Sequence, residues 1–372
     1  MPRQSLFRLL LCGVVPSIAF GALLHAASWE VIATGLDNPR GLNLGPDGGL
    51  YVAEAGSGGD GACAPGPEGI RCFGATGAIT RIDLRTRAVE RVTTGLPSLA
   101  TDGAFAAGPQ DVSFQGRGNG FFTIGFGGDP RDRVNQFGAA GAALAQLART
   151  TPNGAWRSTV DLGDAETDAN PTGDEIDSNP YGVLALAGRQ VIADAGANAL
   201  IEVQASGGVS ALATFPNRLV AAPSFLGLPP GTQIPMDAVP TSVVQGPDGA
   251  FYVGQLTGFP FPVDHANIYR VPAGGGPPEV YASGFTAIID LTFGPDGSLY
   301  VLEIAAHGLL AAFNASDWTG ALIRVSPSGT RTEVATGALY APGGVVIDRS
   351  GVLYVTNKSI LSDVGEVVRI RP

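Results

Sequence analysis

Positive charge is scarce in this sequence. Lys and Arg together number 22 against 33 Asp and Glu, the formal net charge is −11, and Lys358 is the only lysine. Nucleic acids and anionic lipid surfaces need a basic face, so both are excluded as partners. Cysteine is scarcer still, with three residues and no zinc-ligand spacing. There is no P-loop, no G-x-G-x-x-G ahead of a helix and no G-x-S-x-G elbow. Histidine is limited to His25, His265 and His307, which leaves little material for a Ser–His–acid triad. Apolar runs of membrane-spanning length are missing beyond the first 27 residues.

Those first residues, 1–27, read as a secretory signal peptide. Arg3 and Arg8 precede an apolar run from Leu9 to Leu24, and Ala26 and Ala27 supply small residues for cleavage. An uncleaved anchor is the alternative, but the run is short and Pro16 interrupts it. A lipoprotein reading of Cys12 meets Leu11 where a small residue is expected. Losing this segment removes two arginines and no acid, moving the formal charge from −11 to −13. Cys63 and Cys72 then remain, in a Gly/Pro-rich loop. In an oxidising compartment they pair and staple that loop; metal binding by two isolated thiols is the alternative. The expected location is secreted or periplasmic.

Glycine (54) and proline (28) are abundant, yet 45% of residues are hydrophobic. That balance fits many short strands joined by tight turns rather than disorder. A repeat confirms the pattern. It reads GLNLGPDGGLYVAEAG at 41–56, SVVQGPDGAFYVGQLTG at 242–258, DLTFGPDGSLYVLEIA at 290–305 and GVVIDRSGVLYVTNKS at 344–359. Weaker copies are DVSFQGRGNGFFTIGFG at 111–127 and GVLALAGRQVIADAG at 182–196. In the Pro-Asp-Gly turns Pro presets φ, Asp bonds locally and Gly takes the left-handed position. A second hairpin follows each unit, as at 78–95, 145–163, 199–215, 267–284 and 321–337. Four strands repeated six times predict an all-β, six-bladed β-propeller over 28–372. The last repeat lacks a fourth strand, and SWEVIATGL at 28–36 resembles the fourth-strand sequence at 332–339. The N-terminal strand is therefore expected to close the ring.

The insertions are one-sided. Turns within hairpins are short, whereas 55–76, 125–143, 161–180, 216–240, 255–266 and 304–320 are long and irregular. In a propeller all of the second class lie on the face where the inner strands begin, and loops on a rigid scaffold carry function. The inner strands start as PRGL, PQDV, PYGV, PTSV, IIDL and PGGV, bringing Arg40, Gln110, Asp111, Asn179, Tyr181, Thr241, Ser242 and Asp290 to this face. Second strands end there with Glu54, Asp194, Gln255, Glu303 and Asn357. A polar ring around the channel mouth is the expected ligand site. Ca²⁺ is the candidate cofactor, with Asp111 and Asp290 as first ligands and Glu54 and Glu303 next. The alternative is that these groups hydrogen-bond loop backbone.

Other features point less sharply. The acidic run 161–177 reads as a solvated loop and does not match an EF-hand. The apolar, Pro-rich stretches 225–240 and 258–263 form either a rim for a hydrophobic ligand or mutual packing. Residues 139–149 have helix-forming composition. His265 and His307 lie in long loops and read as ordinary. Asn314 and Asn357 match a glycosylation sequon short enough to recur by chance.

The blocks NPRGLNLGPDGGLYVAEAG, PQDVSF, GFGGDP, DSNPYGVLAL, PTSVVQGPDGAFYVGQLTGFPFPV and IIDLTFGPDGSLYVLEI resemble the ScyD/ScyE family, within NHL-like six-bladed propellers. The resemblance spans about Trp29 to Ile370. It implies an exported bacterial propeller, tied in some bacteria to an extracytoplasmic indole-phenolic pigment, with no settled reaction. The family pattern has His where Gln110 stands and Glu at Gln255, so this chain departs from it on the polar ring. The leading expectation is a monomeric, non-catalytic or accessory protein that binds a small or peptide-like ligand. The alternatives are a metal-dependent hydrolase of the lactonase type and a scaffold for a protein partner.

Overall fold

The computed structural model describes residues 28–116, 118–150, 154–335 and 338–371. The expected signal segment and residues 151–153 lie outside the described residues. Strand dominates, in antiparallel four-stranded sheets that follow one another along the chain. The first contains Pro39–Leu44, Leu50–Glu54, Gly69–Ile82 and Val89–Thr101, extended by Ala104–Ala107. The next begins with Pro109–Gln115, and the others with Pro180–Leu186, Pro240–Gln245, Ile288–Phe293 and Gly344–Ile347. These first strands neighbour one another in chain order, and the last neighbours the first, so they enclose a central channel. The architecture is a β-propeller.

The turns form for the local reasons expected of them. Asp47 accepts from the amide of Gly49, Asp248 from Ala250, Asp296 from Ser298 and Asp348 from Ser350. Gly48 sits at φ +77°, a left-handed position that costs glycine little. The same aspartates also reach the third strand, pairing with Arg81, Arg270 and Arg324 in three of the sheets.

The core lies between sheets. Ile79 and Leu96 of the first meet Val112, Phe122 and Ile124 of the second. Phe251 and Val253 of the fourth meet Val191 and Leu200 of the third. Equivalent clusters join every other adjacent pair, including the last sheet to the first through Tyr354, Val367, Leu42 and Val52. Each buried Phe, Leu, Ile or Val contributes about 1.5–3 kcal/mol. Fourth strands such as Val209–Thr214 are largely exposed, so apolar density falls from channel to rim.

Ser28–Leu36 pairs antiparallel with Gly365–Arg371 and completes the last sheet, as the sequence match predicted. Cys63 and Cys72 are disulfide-bonded and staple the hairpin Cys63–Gly66/Gly69–Ile82.

Two expectations are corrected. The helical segment near 139–149 lies earlier, at Arg133–Phe137 and Gly138–Ala143. Gln146–Thr150 is strand because both its edges find partners, Asn119–Ile124 and Trp156–Asp161. The acidic run is not simply solvated loop. Leu162–Ala169 is a helix, capped by Asp161 onto the amide of Asp164, and its Glu166 is only 2% exposed. Buried Arg133, from another insertion, pairs with Asp161 and Asp164 and gives the run its counter-charge.

Candidate functional site

The acids and amides at second-strand ends have a shared task. Glu54 accepts from the amide of Asp37, Asp194 from Asn179, Glu303 from Thr286 and Asn357 from Tyr340. Each acceptor thus holds the loop that leads into the first strand of its own sheet. Gln255 accepts instead from the amide of Asn267 and from Arg218. Glu54 also meets Arg91 and Thr80, and Asp194 meets Ser178, Gly196 and Ala197. Burial pushes the Asp194 carboxyl up to about 6 against the pull of these donors, and the Glu303 carboxyl up to about 7. These side chains join loops to strands rather than line an opening. Glu54→Ala is expected to cost about 2–3 kcal/mol, read as a lower urea midpoint at unchanged slope. The value sits below that for a fully buried pair because Arg91 is half-exposed and rehydrates.

Asp111 and Asp290 lie on the inner strands, on opposite sides of the ring. Asp111 gives one oxygen to the amide of Val112 and the other to Val183 of the next sheet. Asp290 does the same with Leu291 and Val345. Each therefore fastens two neighbouring inner strands. Burial, then the charge of Asp290, holds the Asp111 carboxyl well above its ordinary value. Burial pushes Asp290 up to about 7 against its two backbone donors. The clamp leaves no room beside it: a Cβ on Gly41 would stand 2.1 Å from the Asp111 Oδ1. Thr241 likewise bonds across sheets, to the carbonyl of Ile288. Among the described residues, no three acids, histidines or cysteines are grouped to hold a metal ion.

An opening does exist at the mouth. It is a cavity of about 250 Å³, lined by parts of five of the long insertions. Of the residues expected from the sequence, Arg40, Gln110, Asn179 and Tyr181 line it; Glu54, Asp111, Asp194, Thr241, Gln255, Asp290 and Glu303 do not. Aromatic groups form much of the remainder: Phe105, Phe126, Phe261, Phe313 and Trp318. Phe105, Phe313 and Trp318 pack on one another with centroids 5.1–6.0 Å apart.

Arg71 is the major residue that sequence reasoning missed. The disulfide hairpin delivers it: its Nη1 and Nη2 donate to the carbonyls of Phe126 and Gly127 at 2.5 and 2.9 Å, and its guanidinium lies over the Phe126 ring. Arg40 donates through Nη2 to the carbonyl of Ala106 at 2.7 Å. Arg40 Nε, Arg71 Nε, Gln110 Oε1 and the Tyr181 hydroxyl are buried without a hydrogen-bond partner. All four belong to residues of the cavity wall. The only signal available beforehand was a lone basic residue beside Cys72.

His265 and His307 are exposed; His307 pairs with Asp317 and His265 bonds the carbonyl of Val263. Phe225 and Phe259, from the two Pro-rich stretches, meet with ring centroids 6.4 Å apart, so the stretches pack on each other.

No family model and no curated protein matches the chain. Solved β-propeller structures do. A streptogramin B lyase shares 12% identity at TM-score 0.50, covering 93% of this chain and 97% of its own. A protein described as a candidate gluconolactonase shares 13% identity at TM-score 0.50, covering 93% and 92%. The PQQ-bound aldose sugar dehydrogenase of Streptomyces coelicolor shares 11% identity at TM-score 0.52, covering 93% and 98%. At such identities the likeness establishes the fold alone.

Proposed function

We propose that this protein is a six-bladed propeller that binds a small organic ligand, without converting it, in the cavity at the channel mouth. One observation carries the reading: four buried polar atoms on Arg40, Arg71, Gln110 and Tyr181 lack partners around one aromatic-lined cavity. An unmet buried donor or acceptor costs about 1–3 kcal/mol. Native proteins hold few such atoms, and four around one opening favour a ligand that completes them. The blade count rests on the six sheets whose first strands run around the channel. Export rests on residues 1–27 and is supported by the disulfide, which suits an oxidising compartment. Among the described residues no helix is long and apolar enough to cross a membrane. The ScyD/ScyE resemblance is retained as a proposed affiliation.

Trp318 on the cavity wall reports occupancy. Titration with benzoate, phenol and benzamidine is expected to give a saturable change in its fluorescence with at least one of them. Ala107→Trp, which fills the cavity, should abolish that change while thermal melting confirms the fold. No saturable response to any probe, or a response indifferent to Ala107→Trp, rejects the reading.

The hydrolase reading rests on Asp111 and Asp290, two carboxyls of raised affinity for protons facing one channel. Their oxygens are already engaged by backbone amides, which does not suit a Ca²⁺ cage. Lactone or aryl-ester turnover that a chelator stops, and that Asp111→Ala or Asp290→Ala removes, would establish it instead.

A further inference from the structure

We propose that the cavity is the head-group end of a longer site, and that the site takes an amphiphilic organic anion. The head group, a carboxylate or sulfonate, sits between Arg40 and Arg71. The apolar body runs outward over Phe261, Phe259 and Phe225. This rests on the ligand-binding reading above and specifies what is bound.

The charge argument starts from burial. Arg40 and Arg71 are each 8% exposed. Their guanidinium groups donate to carbonyl oxygens, of Ala106 for one and of Phe126 and Gly127 for the other. Carbonyls accept hydrogen bonds but do not neutralise a cation, and an uncompensated buried charge is strongly unfavourable. Among the described residues neither arginine forms an ion pair. Glu68 on the cavity rim attracts both arginines, and Asp177 attracts Arg71, only at longer range than an ion pair. Both Nε–H groups are left without an acceptor. An anion supplies the missing charge and the missing acceptors together. The Tyr181 hydroxyl, which the Arg40 side chain approaches, keeps its O–H free as a third donor.

The body of the ligand follows from size and from the rim. At about 250 Å³ the cavity is smaller than the roughly 300–1,000 Å³ that encloses a drug-sized molecule. A larger ligand must therefore extend out of it. Phe261 lines the cavity and meets Phe259 at 6.0 Å; Phe259 meets Phe225 at 6.4 Å. Exposure rises along this ladder, from a half-buried Phe261 to 42% for Phe259 and 64% for Phe225. Leu226 and Leu228 are exposed in the same loop. Contiguous exposed apolar groups leading into a polar-headed cavity are the surface an amphiphile covers.

Two probes with one body separate the terms. 8-Anilinonaphthalene-1-sulfonate carries the anion; N-phenyl-1-naphthylamine is the same two-ring body without it. In fluorescence titration of the intact protein, the sulfonate is expected to bind at one site about tenfold or more tightly than the amine. Arg71→Gln or Arg40→Gln should erase that preference, and Glu68→Gln should strengthen it. The double change Phe225→Ala with Phe259→Ala, at exposed positions that do not threaten the fold, should weaken both probes about fivefold or more. It should leave benzoate unchanged. Equal affinity of the two probes for the unaltered protein overturns the anionic head. Indifference of both probes to the double change overturns the apolar body. If phenol or benzamidine fills the cavity while these tests fail, the ligand class is wrong and the ligand-binding reading stands.

Discussion

Removing Ser28–Leu36 is expected to cost about 5 kcal/mol or more and to leave a protein that melts without a sharp transition. The strand pairs along its length with Gly365–Arg371, from Ser28 opposite Arg371 to Leu36 opposite Gly365. It buries Ile32, Ala33 and Leu36 in the cluster between the last sheet and the first. Its Glu30 pairs with Arg369 of the neighbouring strand and with Arg87 of the first sheet. Without it, Gly365–Arg371 becomes an open edge, ready to pair with another chain. Calorimetry and light scattering read both effects. A peptide of the sequence 28–36 added in excess should restore part of the transition, because it re-forms the same ladder. A cooperative melt within a few degrees of the intact protein would show that the ring does not depend on this closure.

Stability is expected to be highest in mildly acidic solution and to fall as the pH rises from about 4 toward 8. Burial places Asp290 and Glu303 at about 7 and Asp194 at about 6. It places Glu166, with Asp194 and Asp177 adding repulsion, at about 8. Unfolded, these carboxyls titrate near 4. Between the two values the folded protein holds protons that the unfolded chain has released. The stability they contribute is full below about 4 and is lost as the pH rises through 6–8. Surface carboxylates act in the opposite sense. Arg324 beside Asp296 holds its carboxyl down at about 2, and Asp47, Asp248 and Asp348 are also lowered. Their contribution is present above about 4 and is lost as the pH falls toward 2, but their exposure keeps it small. The optimum therefore lies near 4–5.

Asp290→Asn isolates one inner-strand contribution. Its amide leaves either Leu291 or Val345 N–H without an acceptor, so the variant starts about 1 kcal/mol lower at pH 5. Its urea midpoint should then change less than that of the parent between pH 5 and 8, by the equivalent of about 2–4 kcal/mol. A parent protein whose midpoint rises or stays level across that window contradicts the assignment.

Much of the fold was legible because its causes are short in sequence. Asp47 reaches Gly49 and Asp296 reaches Ser298, two residues away, so a turn of this kind reads the same in any tertiary setting. Alternating apolar residues marked the strands, and the likeness of 28–36 to 332–339 marked the closing strand. Proximity of Cys63 and Cys72 in one loop pointed to their bond.

The site was legible only in part. Its face followed from where insertions fall in the repeat, a matter of counting. The direction of each polar side chain did not. Glu54, Asp194 and Glu303 end strands at the mouth, yet they turn onto loop amides 15–17 residues earlier in the chain. Those loops have no periodicity from which such a bond is foreseen. Arg71 and Phe261 come from separate insertions, Phe313 and Trp318 from a third, and Phe105 from the strand Ala104–Ala107, and these sequences share no pattern.

The sequence by itself determined strands, turns, the closing strand and the face that carries the long loops, because each depends on neighbours along the chain or on an internal repeat. Only the tertiary structure decided which polar groups fasten the ring and which are left facing a cavity. Ring closure brings loops more than 200 residues apart, such as those of Arg71 and Trp318, around one opening. Whether a buried donor finds its acceptor is settled by that three-dimensional crowding and not by any spacing in the chain.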